Sequence, residues 1–479
     1  MTATSLPSAP TVPRKKELRD RRVILLEFNE LSPTLIDGFI KQGELPNFRR
    51  FRDESRVYIT DAQEAAPNLE PWIQWVTVHS GLSYDQHGIF HLGDGHQLAA
   101  KCLWDLLSDA GYRVWVCGSM NQRYDLPING MVLPDPWATG LEPHPRELGA
   151  FYNFVKQNVQ EYTNDSVPLG LADYRDFVVF MLRHGMGFGT MTGIGSQLLR
   201  ERFNKKSKWR RATILDRLQW DVFRWYFKKT DPHFSTFFIN STAHFQHAHW
   251  RNMDPEPFTV KPTDSDQAEY AGTVLYGYQK MDGIVGEALD LASDGRTTLV
   301  LASALGQQPC LVYEDIGGKT FYRARTLERL LEFAGVPSPH EVQPVMSEEF
   351  HVHFRSEEAA KEGYRLLSGF RVNGKPAMNV QLAKSSVYAG CRIWEKLDKD
   401  AVLEHTEAGT SIPFFRLFYQ VESLKSGMHH PDGILWIREP GTASRSEPKR
   451  VPLVSVAPTV LSMFGLEPST EMKGSALAD

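Results

Sequence analysis

The chain reads as an α/β protein: a three-layer α/β/α sandwich with a mostly parallel central sheet and a small inserted α+β cap. Two observations predict this. Short apolar runs, VILLEF (23–28), STFFIN (235–240) and TTLVLAS (297–303), have the length and continuity of strands buried on both faces. Helical segments ending at glycine stand between such runs, and that alternation builds a parallel sheet with helices on either side.

The elements follow in order. Ser32-Pro33 caps and opens a helix that carries Leu35, Ile36, Phe39 and Ile40 on one face. RVYIT (56–60) is a strand, and Pro71 to Ser80 is a helix stopped at Gly81. KCLWDLLSDAG followed by RVWVC (101–117) is a helix, a glycine stop and a strand. The next strand is STFFIN, and a long helical segment from Ala268 to Ser293 leads to TTLVLAS. GILWIR (433–438) and VPLVSVAPTVLSMFGL (451–466) close the same unit. Two stretches interrupt it: residues 140–233, helical with no clear strand, and residues 345–420, a β-α-β unit read as the cap. The core is then 21–139, 234–344 and 421–479, preceded by a flexible arm over 1–20.

Composition narrows the function. Against 58 Asp+Glu stand 53 Lys+Arg, a formal charge of −5, so a dedicated nucleic-acid binder is not expected. Four scattered cysteines give neither a disulfide framework nor a thiolate zinc site. The first residues lack the apolar core of a signal peptide, and no apolar run is long enough to span a bilayer. The cytoplasm is the expected compartment, and oligomeric state is left open. The basic stretch RERFNKKSKWRR (200–211) and the apolar FVVFMLRHGMGFG (177–189) read first as a solvated face and as packing against the core. Peripheral contact of 177–211 with an anionic membrane is the alternative.

Further segments carry a resemblance. LIDGFIKQGELPNFRRF (35–51), SGLSYDQHGIF (80–90), FFINSTAHFQHAHWR (237–251), LVLASALGQQP (299–309), SGMHHPDGIL (426–435) and SVAPTVLSMFGL (455–466) occur in that order. Together they resemble the type I phosphodiesterase/nucleotide pyrophosphatase branch of the alkaline phosphatase superfamily. The resemblance implies a two-metal site, usually zinc, with a Thr or Ser nucleophile. Residue by residue, much of that site is absent. The first aspartate position is Asn29, the nucleophile position is Pro71 beside Glu70, and the later aspartate and Asp-His positions are Ala243 and Ala304-Leu305. His247 and His429 are retained.

Two readings follow. In the first, His247 and His429, with Glu27 and Asn29 as further candidate ligands, hold one divalent ion, zinc or similar. Glu30 or Glu70 then acts as general base on an anionic small molecule or glycan precursor, by direct water attack. Asn68, His244, His249, His430, Gln307 and Gln308 are further polar candidates near the expected strand ends, where ligands bind in open α/β sheets. The histidines at 244, 247 and 249, placed in a loop, could instead only hydrogen-bond locally. In the second reading the site holds no metal and the protein is a catalytically silent relative that binds a ligand or partner.

Overall fold

The computed structural model describes residues 20–477 except 139, 164–169, 339, 346–347, 422–423 and 442–447, so the arm expected over 1–20 lies almost wholly outside the described residues. The central sheet is built on β1 (Arg22–Phe28), β2 (Arg56–Asp61), β3 (Val114–Cys117), β4 (Gly130–Leu133), β5 (Phe234–Ile239) and β6 (Thr297–Ser303). Strands Asp432–Arg438 and Lys449–Pro452 complete it, in the order Lys449–Pro452, β2, Asp432–Arg438, β6, β1, β5, β3, β4. Only Asp432–Arg438 runs antiparallel to its neighbours; the other pairings are parallel. This is the mostly parallel sandwich the apolar runs predict.

β1 shows why the sheet has two cores. Its side chains alternate, so Ile24, Leu26 and Phe28 join one apolar cluster while Val23 and Leu25 join the other. The first cluster is covered by helices that include Pro33–Gln42 and Thr273–Leu291, the second by Pro71–Ser80, Leu103–Asp109 and Val456–Met463. The long segment expected over 268–293 is two helices, Asp264–Tyr270 and Thr273–Leu291, parted at Ala271-Gly272. Helices Gly149–Thr163, Leu171–Arg183, Phe188–Phe203 and Ala212–Thr230 fill the stretch between β4 and β5.

A third apolar cluster, from Tyr322 to Phe418, belongs to the inserted unit. It is richer than a single β-α-β: two four-stranded antiparallel sheets with helices Leu327–Ala334 and Glu357–Ser368. Its chain ends are tied by the pairing of Tyr322–Ala324 with Phe418–Gln420. His351 is buried, and its ring meets His91 of the core at 5.0 Å and Tyr388 at 4.8 Å.

Glu27 shares the face of Val23 and Leu25, and there it meets His79. Glu27 Oε1 lies 3.0 Å from His79 Nε2, both side chains fully buried, and the imidazole is flanked by Trp75 and Trp104. A carboxylate in such surroundings needs its one partner. His79→Ala is expected to cost about 1–3 kcal/mol or more, because it leaves the buried Glu27 Oε1 without its hydrogen-bond partner. Adding Glu27→Gln should recover part of that loss. Urea denaturation at neutral pH measures both; equal stability of His79→Ala and the parent would show that the contact carries no structural weight.

Candidate metal centre

The carboxyl ends of β1, β5 and β6 lie side by side, and the polar residues just beyond them converge. β1 continues into Asn29 and Glu30; β5 continues through Asn240 into the helix Ser241–Met253; β6 continues into a short strand, Gly306–Pro309. The last pairs with Gly427–His430, setting His429 opposite Gln307. The segment around His429 is therefore a strand, and the three histidines at 244, 247 and 249 sit on a helix, not in a loop. That helix is pinned to the strand: Ser426 N donates to the His247 carbonyl at 2.7 Å and Ser426 Oγ to the Ala248 carbonyl at 3.1 Å.

Glu30, His247 and His429 come together. Each offers one ligand atom, and all three lie within 4.8 Å of one another. Glu30 Oε2 is 2.9 Å from His247 Nε2 and 3.4 Å from His429 Nε2. Tetrahedral zinc with bonds of about 2.0–2.1 Å separates its ligand atoms by about 3.3 Å, so one ion fits among them with small adjustments. The donor set, two imidazoles and a carboxylate, is that of a mononuclear site with room for a further ligand. Glu30, expected as a base, is thus placed among the would-be ligands.

The surroundings fix both partners. His247 Nδ1 donates to the Gly427 carbonyl at 3.0 Å, so its Nε2 faces Glu30 and carries a lone pair whenever the ring is neutral. A lone pair facing a carboxylate oxygen calls for a cation between them, either a second proton or a metal ion. Glu30 accepts from Asn29 Nδ2 on Oε1, at 2.9 Å, and from Gln307 Nε2 on Oε2. Its backbone adopts φ 57°, an uncommon conformation for a residue with a side chain. The Gln246 amide, 2.8 Å from the Glu30 carbonyl, and Ser303 Oγ, 2.9 Å from Leu31 N, hold it there.

Burial alone would raise the pKa of Glu30, but the charges of His247 and His429 and hydrogen bonds to both outweigh it and hold the carboxyl well below its ordinary range. For His429 burial acts downward and is overcome by Glu70 and Glu30, so the imidazole keeps its proton above the usual pH. Glu70 stands behind it, with Oε2 3.4 Å from His429 Nδ1. Burial raises the Glu70 carboxyl, opposed by His429 and Lys425. From the cap, Glu349 comes within range of the same group; burial, Glu348 and Glu70 push it up to about 8.

Not every sequence candidate joins the cluster. Glu27 is turned to the opposite face of the sheet with His79. Asn29 spends its whole amide on positioning: Nδ2 donates to Glu30 and to Asn240 Oδ1 at 2.7 Å, and Oδ1 accepts from Trp75 Nε1 at 2.7 Å. Gln307 is buried beside Glu30 and also donates to the Ala243 carbonyl, while Gln308 donates to the His429 carbonyl. Asn68 lies near Glu64 and Gln74. His244 is on the exposed side of its helix, and His249 stacks on Tyr270 at 4.5 Å where the helix kinks. His430 Nδ1 accepts from Asp432 N. Thr77, the hydroxyl nearest in sequence to the expected nucleophile, is 3.3 Å from His87 Nε2. His87 Nδ1 accepts from Ile89 N, so the neutral ring donates to Thr77 and does not activate it. Ala304 and Leu305 are fully buried in the second apolar cluster.

Three supporting residues were not singled out from the sequence: Gln246, Asn240 and Gly427. A Cβ at Gly427 would collide with Gln307 Oε1 and with the Gln246 backbone oxygen, 2.6 Å away. Their only sequence signal is adjacency, Gln246 beside His247 and Gly427 two residues before His429.

The sequence profile of the type I phosphodiesterase/nucleotide pyrophosphatase family matches residues 23–360, a stretch that includes Glu30, Glu70 and His247 and ends before His429. Among solved structures, murine ectonucleotide pyrophosphatase/phosphodiesterase 5 matches at 11% identity and a TM-score of 0.42, over 95% of this chain and 98% of that one. Phosphonoacetate hydrolase from Sinorhizobium meliloti 1021, in complex with phosphonoacetate, matches at 10% identity and a TM-score of 0.42, over 94% and 96%. No curated protein matches the sequence.

Zinc competes with protons for these side chains. Glu30 is already ionised above about pH 4.5 and adds no pH dependence beyond it; His429 must lose a proton held above its ordinary value of about 6.5. Zinc affinity is expected to rise as pH rises through that raised value, and isothermal titration between pH 6 and 8 measures it. Gly427→Ala should weaken zinc binding at every pH by displacing Gln307 and the support of His247.

Proposed function

We propose, from the fact that the chain belongs to the type I phosphodiesterase/nucleotide pyrophosphatase family, that it is an atypical hydrolase of that family. Its substrate is a phosphorylated or otherwise anionic small molecule or glycan precursor, and its metal site is rebuilt around one ion. The observation that carries this reading is the convergence of Glu30, His247 and His429, with Glu70 directly behind His429.

Glu30, His247 and His429 would hold the ion; when bound, it would supply Lewis-acid polarisation of a phosphoryl oxygen and charge neutralisation. The family's later Asp-His position is occupied by Ala304 and Leu305, which are packed in apolar surroundings and offer no ligand atom for a second ion. Pro71 provides no hydroxyl for a covalent intermediate, which favours direct attack by water. Glu70 is the group suited to take the proton of that water. It lies at the start of the Pro71–Ser80 helix, beside the ligand triad but outside it, and burial raises its pKa toward the range where a general base works well. His429 positions Glu70 through Nδ1, and Asn29 and Gln307 keep Glu30 oriented.

The test is elemental analysis joined to kinetics. Protein expressed with zinc should carry one equivalent, and Glu30→Gln and His247→Ala should each lose it. On bis(p-nitrophenyl) phosphate and p-nitrophenyl phosphate, Glu70→Gln is expected to lower kcat by about 10²–10⁴-fold with zinc content unchanged. A protein that takes up no stoichiometric transition metal, or that takes it up and hydrolyses no ester or anhydride, would instead be the silent, ligand-binding relative.

A further inference from the structure

The stretch between β4 and β5 contains a face that the site does not use. Helices Leu171–Arg183 and Phe188–Phe203 are seated firmly from one side. Phe177, Phe180 and Met181 are buried in the first apolar cluster. At the bend between the helices, Gly187 N donates to Asp221 Oδ2 at 3.1 Å and Thr190 Oγ1 donates to the same oxygen at 2.5 Å. Asp221 is buried on helix Ala212–Thr230 and is itself held by Arg217 and Arg224, at 3.2 and 3.0 Å. The outward sides of both helices are apolar. Of eight large apolar side chains more than half exposed among the described residues, six are here: Leu171 (92%), Leu182 (60%), Phe188 (77%), Leu198 (56%), Leu199 (60%) and Phe203 (82%). At 100° per residue, those of each helix fall within less than half its circumference, opposite the anchored side.

Charge accompanies the apolar stripes. Residues 171–211 contain nine Lys/Arg and three Asp/Glu, a formal charge of +6 in a chain of −5, so the rest of the protein carries −11. Arg183, Arg200, Arg202 and Lys205 are exposed, and among the described residues their side chains form no ion pair or hydrogen bond. No helix among the described residues is long and apolar enough to cross a bilayer. Exposed apolar side chains flanked by unpaired cations, on helices fixed flat against a body of opposite charge, are the chemistry of an interfacial anchor. A second copy of the chain is a poorer occupant, since it would bring a face of +6 against another.

We infer that helices Leu171–Arg183 and Phe188–Phe203 form a docking face for the surface of an anionic lipid bilayer. The apolar side chains enter the interface, the cations meet the headgroups, and the acidic remainder of the protein turns away from the membrane.

Sedimentation of the full-length protein with vesicles tests this. Phosphatidylcholine vesicles with 30% phosphatidylglycerol should bring the protein down at 0.1 M salt, and pure phosphatidylcholine vesicles should not. A juxtamembrane cation contributes about fivefold in partition, so Arg202→Gln with Lys205→Gln is expected to lower binding by about 30-fold. Leu182→Asn with Phe188→Ser should lower it further, and because these positions are exposed the thermal unfolding midpoints of both double variants should match the parent. The inference is overturned if binding to anionic vesicles does not exceed binding to neutral ones, or if neither variant changes it. It is equally overturned if sedimentation velocity shows a dimer that Leu182→Asn with Phe188→Ser dissociates, which would make the face a contact between copies.

Discussion

The carboxylate of Glu30 is the constraint on which the site depends. It lies almost out of reach of water, between two imidazoles, and a buried anion persists only if its lone pairs are used. Every neighbouring element contributes to that end. β1 delivers Asn29 to one oxygen, and the strand after β6 delivers Gln307 to the other. The helix after β5 fixes the backbone through Gln246 Nε2, and the Oε1 of the same side chain accepts from Tyr278 Oη at 3.0 Å. Tyr278 in turn accepts from Ser32 N, just beyond Glu30. The left-handed backbone of Glu30 is therefore over-determined by four segments of chain, and that makes an unfavourable conformation permanent.

The same constraint explains why the departures from the family's ligand pattern do not leave a void. With Asn29 at the first aspartate position, the position no longer supplies charge but still supplies two donors, and the charge moves one residue along to Glu30. With Ala243 beside it, the carbonyl of that residue accepts from Gln307, the donor that also steadies Glu30. Ala304 and Leu305 complete an apolar cluster that a charged pair would disrupt. The losses and the carboxylate at Glu30 fit one arrangement, in which Gln307 donates both to Glu30 and to the Ala243 carbonyl.

How much of this was legible in the sequence follows from what each signal encodes. The sheet was, because β1, β5 and β6 are apolar on both faces and continuous runs of that kind announce themselves. His247 and His429 were, because the segments around them keep the spacing of the family. Glu27 and Glu30 were both visible as polar residues at a strand end, but the roles read from the sequence, Glu27 as ligand and Glu30 as base, do not match where the structure places them. Glu27 is still within the alternating register of β1 and so faces His79, whereas Glu30 follows the strand and turns back through a positive φ. No pattern in one sequence reveals that turn. The supporting residues were silent for a related reason: Gly427 is required by a close approach of Gln307 and Gln246 from two distant segments, a three-body condition that exists only once the chain is folded. The strand holding His429 is only four residues long and pairs with an equally short partner, too short to show as a pattern in the sequence.

The charge balance acquires its meaning only when it is divided by place. A net charge of −5 on 479 residues says little, but +6 on residues 171–211 opposes −11 on the rest, and the two are structurally connected. Asp221 links them: its carboxylate fastens the bend of the basic helical pair, while Arg217 and Arg224, which hold that carboxylate, also reach Glu287 on helix Thr273–Leu291. That helix carries Tyr278, which steadies Gln246 and through it the backbone of Glu30. The helical pair and the candidate metal centre are therefore braced on the same helix. A surface that engages the pair would present the site to its substrate in one orientation, without any change in the site itself.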